Sequence, residues 1–192
     1  MLRVALYGGS FNPIGRHHMK IASQLLTHTN SDQVWILPAY RSINNKNLAS
    51  AEHRLSMCNI AVQNNRNPRI LVNDFEIKNK LTDPPNEIIK KFLVTHSLVQ
   101  PHFVMGADNV TNFPKWMNGA DAIKLIPFII IPRAPYQLGT NEWYNKKPHI
   151  CLVDFPEIPG SSTQFRTEYA RHGHSDFVDP DVLQYIKDQQ LY

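Results

Sequence analysis

The chain predicts a doubly wound α/β protein built on a parallel sheet, and three observations carry that prediction. Short, almost wholly apolar runs recur along the sequence with helix-length or irregular stretches between them, as expected of parallel strands covered on both faces. The first run, in which Leu2, Val4 and Leu6 alternate with other residues, ends in the pair Gly8-Gly9, and a helical apolar pattern of Met19, Ala22, Leu25 and Leu26 starts soon after it. Far down the chain, GSSTQFR at Gly160 to Arg166 opens another helix with hydroxyls and an arginine.

The elements follow in order. Later strand-like runs lie at Val34 to Leu37, Ile70 to Phe75, His102 to Met105, Phe128 to Ile131 and Ile150 to Val153. A helix from about Ala51 to Val62 has Ser50 as its cap, Glu52 in its first turn, and an inward face of Leu55, Cys58 and Val62. Asp179-Pro180 places a cap before a proline at the first helical position, starting a last helix with Val182, Leu183 and Ile186 inward. Three irregular stretches, Tyr40 to Leu48, Asn79 to Asn86 and Pro132 to Pro148, each follow a strand. In open α/β sheets such loops collect substrate contacts, so they are candidates for the specificity surface.

At 192 residues the sequence fits one domain, residues 1–192, large enough to bury a core without a covalent staple. With 42% hydrophobic and 19% charged residues it reads as soluble and globular, and no apolar run approaches the roughly 18 residues of a membrane span. Met1 runs directly into the first strand, leaving no room for a signal peptide, so a cytoplasmic protein is expected. Cys58 and Cys151 have no CxxC spacing and read as reduced thiols. A net charge of +4 suggests nucleic acid at first sight, but the lysines and arginines are scattered, and a small polyanionic substrate explains the excess as well. Neither nucleic acid nor a membrane is expected as a partner; a homo-oligomer is compatible with the sequence.

The chemistry concentrates in the two helix starts. GGSFNPIGRHH, from Gly8 to His18, matches neither GxGxxG nor GxxxxGK[ST]. Its glycine pair, the Ser10 hydroxyl, Pro13 and His18 suit backbone amides around a phosphate with an imidazole donor beside it. Taken alone, this is a turn before a helix. Ser161, Ser162 and Thr163 offer free N–H groups and hydroxyls at the second start, and Arg166 lies one turn on. Two anion-ready helix starts on one sheet edge point to a shared polyphosphate.

GGSFNPI followed by His18, with SSTQFR late in the chain, resembles the nucleotidyltransferase superfamily, whose members carry an (H/T)xGH motif after the first strand and an ISSTxxR motif near the end. Within it the chain is similar to nicotinate or nicotinamide mononucleotide adenylyltransferases. That likeness rests on MGADN at Met105 to Asn109, Trp116, IPRAPY at Ile131 to Tyr136 and the ending VDPDVLQYIKDQQLY. The resemblance implies a Rossmann-like fold and attack of a pyridine mononucleotide's 5′-phosphate on the α-phosphorus of ATP, releasing pyrophosphate. It implies Mg²⁺ bound mainly through the ATP phosphates, with no residue assigned as a metal ligand. It implies an ATP site of Gly8, Gly9, Ser10, Phe11, His18, Asp108, Ser161, Ser162 and Arg166, with His18 and Arg166 as the catalytic pair. Trp116 then stacks on the pyridine ring, and Arg133 and Lys46 contact the substrate.

Two departures from the family pattern stand out. The motif reads Gly15-Arg16-His17-His18 here, so its first His or Thr is a glycine, and Arg16 or His17 is left to compensate. One lost preorganised donor lowers rate on the order of 10²–10³-fold. At Tyr40 to Lys46 the family's Pro-His-Lys pattern is not evident. The leading expectation is adenylyl transfer to nicotinate mononucleotide, giving deamido-NAD. Three alternatives stay open: nicotinamide mononucleotide as acceptor, another acceptor such as phosphopantetheine, and a nucleotide-binding protein weakened at Gly15. His172 and His174 read as loop residues rather than as a metal site.

Overall fold

A computed structural model describes residues 1–41 and 48–192. Six strands form one sheet: β1 (Leu2–Gly9), β2 (Gln33–Pro38), β3 (Ile70–Val72), β4 (Val99–Gly106), β5 (Phe128–Ile131) and β6 (Ile150–Cys151). All neighbouring pairs are parallel, in the order β3-β2-β1-β4-β5-β6. This is the doubly wound order, with its reversal between β1 and β4. Helices α1 (Arg16–His28), α2 (Ala51–Asn65), α3 (Phe75–Lys78), α4 (Pro85–Thr95), α5 (Ala107–Val110), α6 (Gly119–Leu125), α7 (Ser162–His172) and α8 (Pro180–Asp188) connect and cover the strands.

Strand pleating divides the core. From β1, Ala5 joins Val34 and Ile36 of β2 in a cluster with Met19, Ala22 and Leu25 of α1, Met57 of α2, Phe165 of α7 and Ile186 of α8. Val4 and Leu6 point the other way, toward Leu37, Phe75 and Phe92. A further cluster on Phe128 and Ile130 of β5 packs Ile89 of α4 and Ala122 of α6. Both faces are apolar because both are covered, as the continuous runs required.

Several boundaries differ from expectation. Strand β3 stops at Val72 because Asn73 Oδ1 accepts from the Phe75 N–H at 2.9 Å, turning the chain so that Phe75 opens α3. Strand β4 begins at Val99, ahead of Pro101. The proline is tolerated there because β5 pairs with β4 only from Phe103 onward, which leaves that side of the strand open at Pro101. Strand β6 covers only Ile150–Cys151, shorter than the run to Val153. Helix α2 is rotated from its expected face: Arg54, Met57, Cys58 and Ala61 are buried, while Leu55 and Val62 are half-buried. The terminal helix is as read, with the Asp179 side chain accepting from Asp181 N–H and Val182, Leu183 and Ile186 inward. His172 is no loop residue; α7 runs through it to its cap at Gly173, where φ is 63°. Cys58 and Cys151 are free thiols.

Candidate active site

The loop after β1 is fixed by close packing before any ligand chemistry enters. A Cβ at Gly8 would lie 2.9 Å from the Phe103 ring, and one at Gly9 would lie 3.1 Å from the Phe11 ring. The glycine pair therefore lets two aromatic rings close over the strand end. Phe11 has φ 43° and is buried edge-on against Tyr7 and His18. Beneath the loop sits Arg54, 1% exposed. Its guanidinium donates to the carbonyls of Ala49, Ser10, Ala39 and Tyr40 at 2.7–3.0 Å, joining the loops after β1 and β2. Glu76 lies under the same loops, and burial raises its carboxyl to about pKa 7, against the opposing effects of a backbone hydrogen bond at Tyr40 and of Arg54.

The second helix start meets this loop from above. Ser162 Oγ donates to Pro13 O at 2.8 Å, and Arg166 Nη1 donates to Asn12 O at 2.7 Å. Ser161 caps α7 through its hydroxyl, which accepts from Gln164 N–H. The two segments singled out in the sequence thus converge at the carboxyl edge of the sheet, as expected. Tyr192 OH and Ala49 N–H both donate to Asn12 Oδ1, so three distant segments hold this one asparagine.

Between the helix starts lies a cavity of about 390 Å³, lined among others by Tyr7, His17, His18, Arg133, Gly160 and Ser161. Its far wall is the run Phe155 to Pro159. At the start of α1, Gly15 has no side chain to cap the helix. Instead the Gly15 N–H donates to His18 Nδ1 at 2.9 Å, which places the His18 proton on Nε2. Burial, then His17, then Arg133 hold His18 well below the ordinary 6.5. His18 is therefore a neutral imidazole with one fixed N–H donor, the form suited to binding a phosphate oxygen without accepting its proton.

The remaining expected residues fall into three groups. Arg133 lines the cavity and pairs with Asp108 at 3.1 Å; the other Asp108 oxygen is buried without a partner. Asp108 itself stands in α5 directly after β4 and is joined to the cavity through Arg133. Trp116 packs edge-on against Phe113 and lies outside the cavity lining. Of the three irregular stretches, Pro132 to Ala134 reaches the cavity, Asn79 to Asn86 does not, and Lys46 lies outside the described residues. Sequence reading missed Tyr7, Gln164 and the Phe155 to Pro159 wall, along with Arg54 and Glu76 beneath the loop. The apolar face of α2 carried one signal, since Arg54 stands at helical spacing with Ala51, Cys58 and Ala61.

Residues 6–168 match the cytidylyltransferase-like family, and the chain belongs to it: this is a nucleotidyltransferase with a Rossmann-like fold. Its relatives narrow the class. The chain is 29% identical over 194 residues to a probable nicotinate-nucleotide adenylyltransferase of Lactococcus lactis, covering 99% of this chain and 95% of that one. It is 30% identical over 193 residues to the protein of the same name from Enterococcus faecalis, covering 99% and 84%. In fold it is similar to Plasmodium falciparum nicotinic acid mononucleotide adenylyltransferase complexed with NaAD, at TM-score 0.83 and 21% identity, covering 100% of this chain and 98% of that one. Among the described residues no helix is long and apolar enough to cross a membrane.

Proposed function

We propose that the protein transfers the adenylyl group of ATP to nicotinate mononucleotide, forming deamido-NAD and pyrophosphate in NAD biosynthesis. One observation supports this reading above the others: two helix N-termini and a neutral imidazole donor face one cavity in a chain that aligns end to end with nicotinate-nucleotide adenylyltransferases. An oxygen of the mononucleotide's 5′-phosphate forms a bond to the α-phosphorus. The bond from that phosphorus to the bridging oxygen breaks, and pyrophosphate leaves with the electron pair. No protein nucleophile is needed. The chain's part is to align two anions that repel each other and to stabilise charge on the transferring phosphate.

In this reading His18 Nε2–H donates to a phosphate oxygen. The N–H groups opening α1 and α7 add positive potential from either side. Ser162 and Arg166 hold the loop that the phosphates approach, and Ser10 and Phe11 meet them through the main chain. Arg133, on the cavity lining, meets the acidic mononucleotide, and Asp108 binds nucleotide hydroxyls. Trp116 contributes to the pyridine pocket. Mg²⁺ bound through the ATP phosphates would shield their charge. Among the described residues no three His, Cys, Asp or Glu side chains gather to hold a metal by themselves.

Pyrophosphate release from ATP with nicotinate mononucleotide and nicotinamide mononucleotide in parallel tests the reading, with His18→Ala as control. Turnover is expected with the acid preferred and is expected to be lost in the variant. Measurable ATP binding with no turnover on either mononucleotide overturns it.

A further inference from the structure

We propose that His17 is a phosphate-binding residue of this site, its imidazole standing where a side chain at position 15 would stand. The inference rests on the adenylyl-transfer reading for its substrate, but its argument is steric. A Cβ at Gly15 would lie 2.6 Å from both Cε1 and Nδ1 of His17. The Gly15 backbone, at φ −113°, is one that any residue adopts, so the glycine is required by what packs against it and not by the turn. Phe177 O, 2.9 Å from the same Cβ position, closes the other side. Gly160, which leads into α7, is favoured by its own φ of 125° and also leaves the ring room: its Cβ would lie 3.1 Å from Cβ and Nδ1 of His17. Two glycines, one before each helix, leave a slot, and His17 fills it.

The ring's hydrogen-bonding capacity is unused by the protein. His17 is 6% exposed and lines the cavity, yet neither Nδ1 nor Nε2 has a partner among the described residues. Burying both nitrogens unsatisfied is costly, and a core position would hold an apolar ring more stably. The neighbouring imidazole differs: His18 has one nitrogen engaged by Gly15 and one free, with the two ring centroids 3.8 Å apart. Burial, aided by Arg133, lowers His17 to about 4, so it stays neutral near pH 7 and presents one N–H without adding charge beside Arg133. Arg16, the other residue left to compensate for Gly15, is directed elsewhere. It is exposed, its Nε donates to Val178 O at 2.9 Å, and it does not line the cavity.

The test replaces the ring's nitrogens and keeps its bulk. His17→Phe is expected to melt at a higher temperature than the wild type while binding inorganic tripolyphosphate, measured by titration calorimetry, about tenfold more weakly. A residue that only fills space would not move the two readouts in opposite directions. Turnover is expected to fall about 10²-fold, with KM for the mononucleotide little changed. Arg16→Ala is expected to leave tripolyphosphate affinity as it was. Tripolyphosphate affinity equal in wild type and folded His17→Phe overturns the inference; should that variant not fold, equal affinity in His17→Ala overturns it. A wild type that binds ATP but turns over neither mononucleotide removes the proposed function, while weaker tripolyphosphate binding by His17→Phe still upholds His17.

Discussion

The two helix starts that face the cavity are built from opposite materials. Helix α7 is capped by a serine hydroxyl, and its Ser162 and Arg166 both donate to main-chain carbonyls of the loop after β1. Helix α1 is capped by a glycine whose N–H is taken by a histidine ring, and its first turn carries two imidazoles beside the cavity. The end richer in donors has engaged them in holding the loop, whereas the end capped by glycine keeps donors free. The comparison separates two tasks that a motif presents as one: α7 holds the loop after β1 in shape, and in the proposed reaction α1 meets the phosphate.

The sharpest way to break this division is to remove one member from each end. His18→Ala is expected to lower steady-state pyrophosphate release by about 10²–10³-fold, with stability changed much less, because the lost donor acts on the reacting phosphates. Arg166→Ala is expected to fail in both respects. Turnover drops, and urea denaturation shows a loss of about 1–3 kcal/mol, since Asn12 O is left without its charged donor. If Arg166→Ala lowers turnover with full stability, the division between shaping and binding does not hold.

Beneath the loop the contrast takes a pH-dependent form. The folded Glu76 carboxyl titrates near 7, above the ordinary 4.5, so the folded protein retains a proton that the unfolded chain has lost. Its contribution to stability is therefore complete below about pH 4.5 and is lost as pH rises through about 7. Glu76→Gln is expected to stabilise the protein at pH 8 by on the order of 2 kcal/mol and to change little at pH 4.5, read from denaturation curves at the two pH values. The smallest effect belongs to the α7 cap. Ser161→Ala is expected to cost about 1 kcal/mol by removing the acceptor for Gln164 N–H, with turnover reduced severalfold at most.

Much of this was legible in the sequence for local reasons. Apolar runs and capping residues marked β1, β2, β5, α2 and α8, because strand burial and helix capping depend on residues close in sequence. The convergence of Gly8 to His18 with Gly160 to Arg166 was legible too, since two helix starts with free N–H groups on one sheet edge point to a shared anion, although neither does so alone. Other features depended on distant neighbours. Arg54 reads as an ordinary helix residue until four carbonyls from the two loops after β1 and β2 surround it. Gly15 reads as a missing donor until the His17 ring is seen in its side-chain space. The Tyr7 side chain at the strand end, half-buried beside Phe11, looks like core in an apolar run, and only the loop geometry brings it to the cavity.

The bonds that join the two helix starts span most of the chain: Ser162 to Pro13 bridges 149 residues and Arg166 to Asn12 bridges 154, while Arg16 at the start of α1 reaches Val178, beyond the end of α7, across 162. The site exists only where segments so far apart in sequence are docked together, so a partly folded chain in which they are undocked lacks it. A polyphosphate that grips both halves therefore favours the fully folded chain over every partly folded one, by mass action. Ligand occupancy and survival against heat and proteases become one quantity, so the protein is most persistent while its substrates are plentiful.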